Sequence, residues 1–241
     1  SVIVGNEVLL RKELEPLELY AYIDFMKSHT KKPVTTAETW DIWEKNPQLA
    51  SHVDFLTIHI LPYWEKVPIE RYNEFIIEKY SVVEELFPNR KIVIGETGWP
   101  SHGYNNNSAI PSIKNQAQAI RGFVNLAHEK GWHYNIIEAL DQPWKGYDEG
   151  NVGQYWGIFT TDRALKFQLA GEVELNKYWL YQMIAAIIIG ALLTLFGLKN
   201  QRVNISHAFA YAIAAQGMAF GIVMAAIYPF VNYMNFGMWI M

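Results

Sequence analysis

Two glutamates stand at the ends of short apolar runs, each with a glycine close before it: Glu7 after "SVIVGN" and Glu96 after "KIVIG". Other polar and aromatic residues gather at similar points. His59, Tyr63 and Trp64 close "TIHILPYW", Trp99 follows Glu96 by three residues, and Glu138, Asp141, Gln142, Trp144 and Lys145 close "NIIEALDQPWK". A single glutamate after a strand is an ordinary solvated loop residue. A pair, each fixed by a strand and flanked by aromatics, suits acetal chemistry. Two carboxyl groups about 5 to 5.5 Å apart can protonate a leaving oxygen and attack an anomeric carbon. Tryptophan and tyrosine faces can stack on the apolar C–H face of a sugar ring. On this reading Trp99 floors a sugar site beside Glu96, and Tyr63 and Trp144 are further platforms.

Such groups need rigid elements, and the sequence supplies an alternating series. "SVIVGN", "KPVTTAE", "DFLTIHI", "RKIVIGE" and "YNIIEAL" read as strands. Helical periodicity runs through "EPLELYAYIDFMKSH", with Leu17, Tyr20, Ile23 and Met26 on one face, and through "PIERYNEFIIEKYSVVEELF". "SIKNQAQAIRGFVNLAHEKG" is a third helix, with Gly131 at the expected C-terminal position. Strand and helix taking turns predicts parallel βα units. Polar groups collected after the strands match the catalytic face of a (β/α)₈ barrel.

The 241 residues carry a net charge of −4, with no basic run, which excludes the usual nucleic-acid footprint. There is no cysteine, so disulfides and thiolate metal sites are excluded. His52, His102, His128 and His133 lack ligand spacing, and His59 reads as a hydrogen-bonded strand residue, so neither a metal nor a cofactor is expected. The sequon-like "NNS" at Asn106 reads as loop, and Glu138 as either an inward polar residue near the site or a structural one.

Charge vanishes near the C-terminus. "WLYQMIAAIIIGALLTLFGL" (179–198) and "AFAYAIAAQGMAFGIVMAAIYPFV" (208–231) hold no charged residue, and about 20 helical residues reach across the roughly 30 Å core of a bilayer. They are expected to be membrane spans, with "GMAFG" suited to close helix contact. The expected organisation is a domain over 1–170, a linker at 171–178, the two spans with a short loop at 199–207 between them, and at 232–241 the start of a further membrane segment. Lys199 and Arg202 place the loop in the cytoplasm by the positive-inside tendency, and the domain then lies in the periplasm or outside the cell.

"VGNE" followed by "IGETGWPS" resembles the signature pair of family 17 glycoside hydrolases, the β-1,3-glucanases, over roughly residues 1 to 160. The resemblance implies Glu7 as acid/base and Glu96 as nucleophile. It implies that Asn6 hydrogen-bonds the sugar 2-hydroxyl, that Tyr63 lies in the cleft, and that Asp141, Gln142, Trp144 and Lys145 bind substrate. It also implies that the fourth to eighth strands of the barrel are present and the first three are missing. Gln142 stands where plant members usually have glutamate. The added spans are similar to bacterial proteins in which a family 17 domain is joined to a family 2 glucosyltransferase, the β-(1-3) or β-(1-6) glucan synthases. The expectation is a membrane-anchored retaining enzyme on β-1,3-glucan, hydrolysing or transglycosylating, with Glu7 raised in pKa by its neighbours. The alternative is a non-catalytic glucan-guiding module of a synthase, which would need the aromatics but not the glutamate pair.

Overall fold

The computed structural model describes residues 1–173 and 178–232, which fall into two compact units, one over Ser1–Val173 and one from Glu174 onward. Residues 174–177 of the expected linker, and all but the first residue of the expected further membrane segment, lie outside the described residues.

The first unit is a five-stranded parallel sheet in the order β1 (Val2–Asn6), β2 (Val34–Thr39), β3 (Leu56–His59), β4 (Ile92–Glu96), β5 (His133–Tyr134). Helices α1 (Pro16–His29), α2 (Trp40–Lys45), α3 (Tyr72–Leu86) and α4 (Ile113–Lys130) alternate with the strands. β3 is buried at every residue and β2 at all but Thr39, as expected of parallel strands covered on both faces. α3 turns Tyr72, Ile76, Tyr80 and Val83 inward at spacings of three and four. α4 starts at Ser112, whose hydroxyl accepts the Asn115 amide, and stops at Gly131 in the left-handed region at φ 66°. α1 buries Leu19, Tyr20 and Ile23, whereas Leu17, expected on its apolar face, is exposed in the first turn.

The expected strand at 134–140 is regular only over His133–Tyr134. Beyond it Asn135 and Ile137 still donate to the carbonyls of Ile94 and Thr97, and residues 138 and 139 accept from Ile158 and Phe159. The segment keeps its partners while leaving strand geometry. Two irregularities in register matter for the site: one in β1 between Ile3 and Asn6, one in β3 between Ile58 and His59.

In the second unit α5 (Trp179–Leu198) and α6 (Ile205–Asn232) pack antiparallel. Gln216 presses on Gly190 and donates to the Ala186 carbonyl at 3.0 Å, and Tyr211 lies on Gly197. A side chain on either glycine would collide with these groups. A Cβ on Gly217 or Gly221, expected to make close helix contact, would meet no neighbouring element within 4 Å among the described residues; Ala215 and Ala219 are the buried residues around them. Windows in both helices have mean hydropathies of 2.1 and 1.6 with only 11% and 17% of their residues buried, so both are long and apolar enough to cross a membrane.

Candidate active site

β1 and β4 carry the two glutamates to the same end of the sheet, and β3 between them carries His59. Asn6 ends β1, and Glu7 follows at φ 55°, a left-handed conformation rare for a side-chain-bearing residue. Its amide donates to the Ala37 carbonyl at 2.8 Å, and its carbonyl opens a tight turn by accepting the Arg11 amide. Glu96 is the last residue of β4, in register with His59. His59 is 1% exposed, and its Nδ1 lies 3.1 Å from Glu7 Oε1 and 3.7 Å from Glu96 Oε2. Gly95 makes this approach possible: a Cβ there would fall 2.9 Å from the His59 ring and 2.5 Å from Thr57.

One ligand atom from each of Glu7, His59 and Glu96 lies within 4.8 Å of the others. By distance the three could hold a divalent cation. As a carboxylate pair bridged by an imidazole, they match the short separation of a nucleophile and an acid, not the roughly 6.5 to 9.5 Å that leaves room for an intervening water. Burial pushes the Glu96 carboxyl above its ordinary value; Glu7 adds to this, and His59 and Lys145 oppose it.

The pair opens into a cleft of about 640 Å³. Asn6, Arg11, Trp40, Asp41, Trp64, Glu65, Ile137, Lys145 and Glu149 line it together with the two glutamates and His59. Lys145 Nζ sits 2.7 Å from the buried carboxylate of Glu138 and 3.4 Å from Glu149, which holds a cation beside the pair. That places Glu138 as an inward polar residue under the cleft wall.

A family model for the BtgE/BtgC glycoside hydrolase domain matches residues 1–157. The chain belongs to that family. The glucan 1,3-beta-glucosidase of Saccharomyces cerevisiae is 28% identical over 191 residues, which is 69% of this chain and 60% of that protein. The probable beta-glucosidase btgE of Aspergillus terreus is 29% identical over 163 residues, 65% of this chain and 29% of that one. An active-site mutant of Rhizomucor miehei beta-1,3-glucanosyltransferase in complex with laminaritriose superposes with TM-score 0.62 at 28% identity, covering 68% of this chain and 60% of the other. The chain thus spans three fifths or less of the length of these relatives.

Within this BtgE/BtgC domain, Asn6, Glu7, Glu96 and Lys145 are brought together in the cleft, and five other expected site residues are not. Trp99 is wholly buried: its ring meets Tyr63 and Tyr72 edge-on, and its indole N–H donates to the Ile110 carbonyl. Tyr63 is equally buried, with its hydroxyl donating to the Tyr104 carbonyl. Both are core, because the loop after β4 folds back over the sheet end. Asp141 is locked in a buried ion pair with Lys166 at 2.6 Å and accepts the Gly157 amide. Gln142 and Trp144 do not line the cleft, and Trp144, in the short turn Pro143–Gly146, is 65% exposed. The aromatics that do line it are Trp64, in the turn after β3, and Trp40, the first residue of α2 directly after β2. The sequence showed Tyr63 and Trp64 as adjacent, and adjacency alone does not say which one faces the cleft.

Trp64 rests against Trp156 with ring centroids 5.9 Å apart and keeps part of its surface open. Trp64→Ala is expected to weaken binding of a laminari-oligosaccharide by about 1 to 3 kcal/mol, measured by titration calorimetry, with little change in melting temperature. A drop in stability with unchanged affinity would make Trp64 packing only.

Proposed function

We propose that the chain is the catalytic portion of a membrane-anchored enzyme that cleaves β-1,3-glucan with retention of configuration and passes the glycosyl group to water or to a second glucan. The observation that carries this is the Glu7–Glu96 separation, with one atom of each inside 4.8 Å and His59 between them. In the proposed cycle Glu7 protonates the leaving glycosidic oxygen while a Glu96 oxygen attacks the anomeric carbon, giving a glycosyl ester. Glu7, now a carboxylate, takes a proton from the incoming water or sugar hydroxyl, which displaces Glu96. Asn6 is assigned to the sugar 2-hydroxyl, Trp64 and Trp40 to ring stacking, and Lys145 to the charge around Glu96. The assignment of the two roles rests on the order of the two motifs, "VGNE" and "IGETGWPS".

Product analysis of the full-length protein on laminari-oligosaccharides tests the reading. Retained anomers, either as shorter oligosaccharides or as longer transfer products, support it; inverted anomers or no turnover would overturn it.

The membrane part of the proposal takes α5 and α6 as spans, with the loop at 199–204 cytoplasmic and the catalytic unit on the other side. A glucosyltransferase partner in a longer chain follows from the same resemblance. Because the chain has no cysteine of its own, single cysteines at Asn105 and Asn200, both exposed, report the topology cleanly. An impermeant maleimide on intact cells is expected to label position 105 and spare 200; the reverse pattern would invert the orientation.

A further inference from the structure

We propose that Glu38, on β2, is a positioning residue for Glu7. This rests on the acid/base role proposed for Glu7. Glu38 lies outside the cleft and is wholly buried. Its Oε1 accepts the Leu9 amide at 2.9 Å and its Oε2 accepts the Leu10 amide at 3.3 Å. These two donors belong to the first residues of the turn that starts at Glu7, where backbone N–H groups have no partner within the turn itself. The residue before Glu38 holds the other side, since the Ala37 carbonyl receives the Glu7 amide. Successive residues of β2 therefore clamp the backbone on both flanks of a glutamate held at φ 55°. A left-handed conformation in a residue with a side chain persists only when its surroundings fix it.

The choice of residue supports a function beyond packing. Burying a carboxyl is costly, and no lysine or arginine forms an ion pair with Glu38 among the described residues. Two amide N–H groups converge on it, and two acceptors on one carbon satisfy both. Glutamine would offer one acceptor and turn its NH₂ toward the second donor. What this arrangement fixes is the direction in which Glu7 leaves the strand, and hence its distance from a leaving-group oxygen over the cleft.

The test uses the full-length protein with Glu38→Gln and Glu38→Asp, and two substrates. A laminari-oligosaccharide has a leaving group that needs protonation; a dinitrophenyl β-glucoside does not. Wild type should show a burst of dinitrophenolate as the nucleophile is loaded; an inverted product without a burst would sink the carboxylate-pair reading itself, before any substitution is considered. Given a wild-type burst, Glu38→Gln is expected to lower kcat on the oligosaccharide by about 10²-fold, the low end of general acid catalysis. The burst rate should stay within about threefold, and azide should restore the slowed steady state. Glu38→Asp should fall between. Equal losses on both substrates, no loss on either, or failure of both variants to fold would each assign Glu38 to structure alone and overturn the proposal.

Discussion

Glu96→Gln in the full-length protein is expected to lower turnover of β-1,3-glucan by roughly four to six orders of magnitude, the scale set by removing a nucleophile, while the fold stays intact. Amide and carboxylate are nearly the same size. The sign of the stability change follows from burial. The folded-state carboxyl is raised above its ordinary value of 4.5, so its contribution is fully present below the unfolded-state value and is lost as pH rises through the folded-state value. Glutamine does not titrate. The variant should therefore match wild type in acid and gain on it toward neutrality, which melting curves across pH would show. Stereochemistry then assigns the roles. Glu7→Ala loaded from an activated aryl glucoside should release a β-glucosyl azide on addition of azide. Replacing Glu96 by a small residue should give the inverted α-azide. Wild-type activity in Glu96→Gln would remove Glu96 from the mechanism.

The second large effect is on stability. Lys166 and Asp141 are about 5% exposed at their side chains and 2.6 Å apart, and Lys166 also donates to Ser101 Oγ at 2.7 Å and to the Tyr155 carbonyl. Burial pulls the Lys166 ammonium below its ordinary value, and the bond to Asp141 opposes that pull. Lys166→Met leaves a buried carboxylate without its cation and is expected to cost about 3 to 5 kcal/mol in denaturant unfolding. Adding Asp141→Leu should recover at least half of the loss, because a pair of apolar groups replaces a lone charge. A loss below about 1 kcal/mol in the single variant would mean that water reaches the site.

The alternation of strands and helices and the two strand-end glutamates were legible in the sequence, because period and strand-end polarity are local signals; that two strands, β2 and β3, lie between the glutamates is a matter of sheet order. Lys145, which only the family resemblance singled out as a binding residue, lines the cleft. The aromatics were less legible. Trp99 and Trp64 both follow a strand, and only the path of the loop decides that Trp99 docks between Tyr63 and Tyr72 while Trp64 stays open. Asp141 carried the same ambiguity: its role depends on Lys166, 25 residues away in a segment with no periodic signal. Glu38 gave no sign of itself, since a glutamate in "VTTAETW" reads as a solvent-facing strand residue until the turn above it is seen.

The Lys166 tie has a consequence for how the protein comes into being. Ser101, five residues past Glu96, is fastened by a side chain 65 positions further on. The ribosome delivers the loop after Glu96 well before its fastener, and domains made N-terminus first must carry such segments unsecured until the later one emerges. Lys166 emerges just ahead of the first apolar helix, which begins at Trp179. Closing of the loop and arrival of that helix are then neighbouring events in biosynthesis. A stall or truncation between Glu96 and Lys166 would release a chain holding both glutamates without the clasp on the loop that follows Glu96.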